Sequence, residues 1–168
     1  MPGPLSALVL NVNYTKAWSD MDYQQVRNID STYIDGRFTR HVYITRDTVR
    51  TARLLYQGDD VVNIALGIDY KGFSGRISFN MRGNIITTVG SRPETDQYTG
   101  NVYKWDIALQ QKLPIEGLSV ALNGTNIFHN PTKTYQDFRR TVDGPILSNL
   151  TSTSYYATTF QFNVRYTF

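Results

Sequence analysis

The chain has 168 residues, of which 40% are hydrophobic and 18% charged, with a net charge of +3 and no cysteine. This composition excludes a disordered chain and a disulfide-held scaffold. The 17 Lys and Arg residues are spread along the whole chain instead of forming a basic stripe, so nucleic-acid binding is not expected. No run of about 18 apolar residues is present, which excludes a helical membrane span.

Six segments alternate apolar and polar residues with a period of two, which predicts strands with one apolar face. In chain order they are Leu8–Thr15, Val62–Tyr70, Arg76–Arg82, Tyr103–Gln110, Leu118–Leu122 and Phe160–Phe168. No stretch carries apolar residues at helical spacing over three turns. The sequence therefore predicts an all-β fold, an antiparallel meander of about six strands that is part of a transmembrane β-barrel.

The connections between these segments differ in length in a regular way. Two are short, Lys71–Gly75 and Leu113–Gly117, and three are long, Ser19–Asp60, Gly83–Val102 and Thr125–Tyr156. In an antiparallel meander, this order places every long connection at one end and every short turn at the other. Outer-membrane barrels have this asymmetry. Within the first long connection, Val49–Tyr56 has strand-like content and predicts a strand extension beyond the membrane.

Six strands are too few to close a barrel around a lipid-facing exterior, since bacterial barrels need about eight or more. An open edge in hydrocarbon would leave backbone groups unpaired, at several kcal/mol each. We therefore expect the chain to be part of a larger barrel or to combine with other copies.

Several segments, in this order, resemble the final strands of TonB-dependent outer-membrane receptors. They are Leu66–Arg76, Trp105-Asp106, Lys112–Leu118, Leu122–Phe128 and the ending Tyr166–Phe168. Asn123–Phe128 is similar to the Asn-Leu-Phe-like stop of the family's penultimate strand. The resemblance extends from about Pro4 to Phe168.

The resemblance implies that residues 1–168 are the C-terminal portion of a receptor barrel in a bacterial outer membrane, with the plug and earlier strands absent. Such receptors take up a scarce nutrient, such as an iron chelate, cobalamin, a glycan or a peptide. The implied partners are outer-membrane lipid, the remainder of the barrel and plug, TonB through the missing plug, and the barrel-assembly machinery. The beginning Met1–Leu5 does not have the pattern of a signal peptide, and we expect this stretch alone not to transport.

Two sets of residues are candidate sites on this interpretation. The resemblance implies that the barrel-assembly machinery reads the apolar residues of the last segment, which are equally explained as lipid-facing wall: Phe160, Phe162, Val164, Tyr166 and Phe168. A slip of one residue there would place Arg165 in lipid at a cost of about 2 to 4 kcal/mol. Aromatic residues near strand ends are expected at the membrane interfaces, with core packing as the alternative: Tyr14, Trp18, Tyr70, Tyr103 and Trp105.

Candidate ligand contacts are lumen-facing or loop residues, for which a solvated charge is the simpler explanation: Arg76, Arg82, Tyr135, Arg139 and Arg140. His41 and His129 are far apart in a chain without cysteine, so no metal site is expected. No catalytic motif and no cofactor motif occurs, and we expect no enzyme.

Two other interpretations remain open. The same alternation suits a soluble β-barrel or sandwich that binds a small apolar ligand, with the apolar residues pointing inward. A small outer-membrane barrel that acts as an adhesin without transport would need Val49–Tyr56 and part of Tyr33–Thr45 as further membrane strands. The arginines in that region argue against it.

Overall fold

The computed structural model describes residues 7–141 and 144–168, which form an all-β fold with antiparallel sheets. Met1–Leu5, including Pro4 where the resemblance begins, lies outside the described residues. The strands are β1 (Leu8–Lys16), β2 (Met21–Asp35), β3 (Phe38–Ala52), β4 (Asp60–Tyr70), β5 (Phe73–Arg82), β6 (Ile85–Thr88), β7 (Gln97–Thr99), β8 (Val102–Lys112), β9 (Leu118–Thr125), β10 (Thr132–Phe138), β11 (Leu147–Ser154) and β12 (Thr159–Tyr166). A short 3-10 helix occupies Pro93–Thr95.

The central sheet has six strands in the order β1-β4-β5-β8-β9-β12, each antiparallel to its neighbours. These are the six strands that the period-two pattern predicts, so the antiparallel meander is confirmed. The last strand ends at Tyr166 and not at the predicted Phe168. Thr167 instead donates its backbone N–H to the Gly117 carbonyl oxygen at 2.9 Å.

Both short turns join neighbouring strands of the central sheet at the same end. The turn predicted over Lys71–Gly75 is shorter in the structure, because Tyr70 pairs with Phe73 and only Lys71 and Gly72 lie between them. Both residues have positive φ, 46° and 80°, as a tight hairpin turn requires. The second turn, over Leu113–Gly117, lies where it is predicted, and the Leu113 N–H donates to the Leu118 carbonyl oxygen at 2.9 Å.

The three long connections contain strands of their own, at the opposite end of the central sheet. In the first, β2 and β3 form a hairpin of two 15-residue strands, which pair with each other and with no further strand among the described residues. In the other two, four strands form a second sheet in the order β11-β10-β7-β6. Each strand of the second sheet is next in the chain to one strand of the central sheet: β6 to β5, β7 to β8, β10 to β9 and β11 to β12. The four strands of the second sheet therefore lie in the same order as their central neighbours. Both sheets are thus successive parts of the same long hairpins.

The prediction of a strand extension within Val49–Tyr56 is confirmed only in its first half. β3 ends at Ala52, and the chain then turns, with a φ of 63° at Tyr56. The Tyr56 N–H donates to the Ile86 carbonyl oxygen at 2.9 Å, which joins this turn to β6. Ile86 and Val89 are the buried hydrophobic residues of the described chain. The small core therefore lies beside the second sheet and not under the central one.

Candidate functional site

The central sheet has one apolar face formed by residues from all six strands. The pairing register places Leu10 beside Leu66, Leu66 beside Ile77, and Ile77 beside Ile107, so one apolar row crosses four strands. Alternation along each strand gives the same face the following residues: Leu8, Val12, Tyr14, Val62, Ile64, Ile68, Tyr70, Phe73, Phe79, Met81, Tyr103, Trp105, Leu109, Leu118, Val120, Leu122, Phe160, Phe162, Val164 and Tyr166. We call this surface the apolar face.

Much of the apolar face is exposed in the part of the chain that the structure describes. The exposed fraction is 66% for Leu10, 47% for Leu66 and 67% for Phe162, whereas central residues such as Ile77 and Ile107 are half-buried. The accessible surface is 12356 Å², whereas a compact protein of 19.2 kDa would expose about 8,400 Å². No side chain of the described residues is fully buried. Exposed apolar surfaces of this extent are typical of contacts with lipid, with a protein partner or with an apolar ligand.

The opposite face of the same sheet is polar and carries a positive charge. It bears Arg76 and Arg82 on β5 and an Asn63–Asn80 side-chain contact. Five basic residues alternate with the apolar positions: Arg76, Arg82, Lys104, Lys112 and Arg165. Two acidic residues, Asp69 and Asp106, share this face. A strand face of this composition suits a hydrated interior.

The predicted interface aromatics lie at the two ends of the apolar face. Tyr14, Tyr103 and Trp105 are near the long connections, and Trp18 follows β1 at the same end with 81% of its surface exposed. Tyr70 lies at the short-turn end. From Val62 to Tyr70, β4 advances by about 26 Å along the strand, which at a tilt of about 35 to 45° spans about 18 to 21 Å of the roughly 25 Å apolar band of outer-membrane barrels.

The last strand is an edge of the sheet, and its apolar residues are solvent-exposed. Phe160, Phe162, Val164 and Tyr166 expose 53 to 67% of their surfaces. Phe168 lies beyond the strand, and its ring packs edge-on against the Tyr166 ring with centroids 4.9 Å apart. The structure thus brings the five residues of the predicted C-terminal signal to one strand and its immediate end.

Both edges of the central sheet are open. β1 and β12 each pair with one strand among the described residues, β4 and β9 respectively. Alternate residues of an edge strand point their backbone N–H and C=O groups away from the sheet. In hydrocarbon these groups would cost several kcal/mol each, which in sum exceeds the usual 5 to 15 kcal/mol net stability of a domain. Both edges therefore need partner strands wherever the apolar face meets lipid.

The predicted ligand contacts do not form one cluster. Arg76 and Arg82 lie on the central sheet, whereas Tyr135 is on β10, where its ring stacks on the Tyr98 ring with centroids 5.5 Å apart. Arg139 and Arg140 follow β10 and are exposed. These residues therefore belong to two parts of the fold.

An ion pair that the sequence did not reveal ties the β2–β3 hairpin to the second sheet. The Arg50 guanidinium on β3 donates to both Asp96 carboxylate oxygens, at 2.5 and 2.6 Å, and to the Gly90 carbonyl oxygen at 2.7 Å. The Gly90 N–H in turn donates to Asp96 Oδ1 at 2.9 Å. Both charged side chains are largely buried, at 16% and 12% exposure. The hydrogen bonds to the Asp96 carboxylate raise the pKa of Arg50 above its ordinary value, so the Arg50 guanidinium stays charged.

Residues 7–141 and 144–168 contain no group of three or more acidic or histidine side chains that could hold a metal ion. The part of the chain that the structure describes has no helix with the length and apolarity needed to cross a bilayer. No family model, curated protein or solved structure matches the chain.

Proposed function

We propose that this chain forms part of the wall of a transmembrane β-barrel in a bacterial outer membrane. The observation that carries the proposal is the exposed apolar face, which crosses all six central strands while both sheet edges stay open. In a barrel wall the apolar face contacts lipid, and the polar face lines the interior. The remaining strands pair with β1 and β12 and satisfy the two edges.

The arrangement of the connections supports the same proposal. All three long connections extend from one end of the central sheet, and both short turns lie at the other end. Long extracellular and short periplasmic connections are the rule in outer-membrane barrels. The second sheet and the β2–β3 hairpin then project from the outer surface, held together by the Arg50–Asp96 ion pair.

The barrel we infer is that of a TonB-dependent receptor, which takes up a scarce nutrient with energy delivered through TonB. This step rests on the resemblance of segments such as Leu66–Arg76 and Lys112–Leu118 to the final strands of that family. On this proposal, the excess positive charge of the polar face meets the plug and the passing nutrient. The exposed residues of β12 serve the barrel-assembly machinery by strand addition at the open edge.

The experiment that tests the proposal is fractionation of cells, with peptides from Phe160–Phe168 used to identify the protein. We expect these peptides in the outer membrane, in a protein several times larger than the 19.2 kDa of this chain. Deletion of the gene should then abolish growth on one limiting nutrient. Loss of growth on the same nutrient in a TonB-deficient strain would show that its uptake depends on both this protein and TonB. Recovery in the soluble fraction would overturn the proposal and favour a soluble sheet that encloses an apolar ligand.

A further inference from the structure

An open cleft lies where the central sheet ends and the second sheet begins. It has a volume of about 570 Å³ and is bordered by the breaks between β5 and β6, between β7 and β8, and between β9 and β10. Its lining includes three tyrosines, three asparagines and one lysine: Tyr98, Tyr103, Tyr135, Asn84, Asn101, Asn130 and Lys133. None of the residues that line it is acidic.

The aromatic part of the cleft is held in place by its own contacts. The Tyr98 and Tyr135 rings stack with an angle of 19° between their planes. The Tyr98 hydroxyl donates to Ser148 Oγ at 2.6 Å, and Ser148 Oγ donates to Asp137 Oδ1 at 2.8 Å. The face of an aromatic ring carries negative partial charge, so it attracts the C–H groups on one side of a sugar ring.

The polar part of the cleft offers groups suited to hydroxyls and to an anion. Asn101 accepts from the Asn84 backbone N–H at 3.3 Å and donates from Nδ2 to the Tyr103 hydroxyl at 3.2 Å. Side-chain amides both donate and accept, as sugar hydroxyls require. Lys133 adds a single exposed ammonium group, which suits a phosphate. A few directed polar groups beside aromatic rings are typical of small-molecule sites.

The cleft lies beside the apolar face. Tyr103 belongs to the apolar face, where its ring lies 6.3 Å from the Phe79 ring, and it also lines the cleft. The cleft therefore opens at the margin of the apolar face, at the end with the long connections. Resting on the proposed function, this is the headgroup level of the outer leaflet.

From these observations we propose that the cleft binds the phosphorylated sugar headgroup of an outer-leaflet glycolipid. Tyr98 and Tyr135 form the stacking platform, the asparagines bind hydroxyls, and Lys133 binds the phosphate. Gly100 keeps the floor open, since a Cβ there would lie 3.0 Å from Tyr135 Cε2.

The first arm of the test measures binding without a membrane. The protein is purified at the length found by the fractionation experiment and is titrated in detergent micelles with a bisphosphorylated glucosamine disaccharide and with its dephosphorylated form. We expect Tyr135→Ala to weaken binding of both forms by about tenfold, and Lys133→Ala to weaken binding of the phosphorylated form alone by a similar factor. Two matched controls, Tyr155→Ala and Lys71→Ala, lie outside the cleft and should leave both affinities unchanged. Far-UV circular dichroism checks that each variant folds.

The second arm identifies the lipid source. A photo-crosslinking amino acid at Pro131, which lines the cleft and has no assigned ligand contact, is irradiated in vesicles of phosphatidylethanolamine doped with the bisphosphorylated glycolipid, and we expect a crosslink to the glycolipid. Disaccharide binding without that crosslink would overturn the assignment to a lipid headgroup. If the disaccharide does not bind, or if the control variants lose as much affinity as the cleft variants, the proposal that the cleft is the binding site is wrong. Because the first arm needs no membrane, its result is independent of whether the barrel proposal holds.

Discussion

Replacing Leu66 by arginine tests whether the apolar face meets lipid. Leu66 lies in the middle of β4 and pairs with Leu10 and Ile77 on that face. An arginine at the midplane of a transmembrane barrel costs about 2 to 4 kcal/mol, falling to about 0 to 1 kcal/mol near the interfaces. Since the net stability of a domain is about 5 to 15 kcal/mol, Leu66→Arg should remove a large part of the free energy of unfolding.

Tyr70→Arg is the matched control for depth. Tyr70 is on the same strand and the same face, and its exposure of 44% is almost that of Leu66, 47%. If this face were exposed to water, or were covered evenly by protein, Leu66→Arg and Tyr70→Arg would lower the stability by similar amounts. In a bilayer Tyr70 lies near the interface, so Tyr70→Arg should cost about 0 to 1 kcal/mol.

Asn63→Arg is the matched control for the face. Asn63 is exposed on the polar side of β4, where it contacts Asn80. Losing that hydrogen bond should cost about 1 kcal/mol or less. The assay is urea unfolding of the membrane-inserted protein in vesicles, followed by the fluorescence of its tryptophans. Equal losses at Leu66 and Tyr70, or no loss at Leu66, would refute a lipid-facing surface.

Three further predictions concern local contacts. Asp96→Ala should destabilise the join between the hairpin and the second sheet by about 2 kcal/mol, seen as faster amide exchange at Gly90, whose N–H donates to Asp96; unchanged exchange would contradict this. Gly72→Ala should lower the free energy of unfolding by about 1 to 3 kcal/mol because the φ of Gly72 is 80°. Lys71→Asn is the control and should not destabilise the fold, since asparagine is better suited to the same turn. Equal unfolding midpoints for the two variants would show that the turn is not strained. Gly117→Ala should release the last residues, since its Cβ would meet the Thr167 carbonyl oxygen, and carboxypeptidase digestion should then be faster than in the wild type; an unchanged rate would contradict the contact.

The central sheet could be predicted from the sequence because one of its faces is apolar and the other polar. In β4, for example, Val62, Ile64, Leu66 and Ile68 alternate with Asn63, Ala65, Gly67 and Asp69, and this pattern fixes both the strand and its faces. The parity of long and short connections could likewise be derived, because it follows from strand order alone.

The β2–β3 hairpin could not be predicted in full because both of its faces are exposed. In β3, His41, Tyr43 and Thr45 alternate with Val42, Ile44 and Arg46, so neither face is uniformly apolar. One feature of the sequence does indicate the hairpin: Asp35-Gly36 is a dipeptide typical of turns. In the structure, Gly36 has a φ of 61° and lies in the two-residue turn between β2 and β3.

The contacts between the projecting parts depend on the three-dimensional arrangement. Arg50 and Asp96 are 46 residues apart, and no local pattern joins them. The cleft lined by Tyr98, Tyr103 and Tyr135 brings together three strands from two sheets. The sequence predicts two separate roles for these residues, an interface aromatic for Tyr103 and a ligand contact for Tyr135, and only the fold shows that they border one cleft.

The central claim is that the apolar face meets lipid while the polar face meets water. The most direct measurement is nitroxide labelling of single cysteines at positions 161 to 164 in the membrane-inserted protein, which is simple because the chain has no cysteine. We predict that labels at Phe162 and Val164 are accessible to oxygen dissolved in lipid, and that labels at Gln161 and Asn163 are accessible to a water-soluble nickel complex. The opposite alternation, or equal access to the nickel complex at all four positions, would contradict the account.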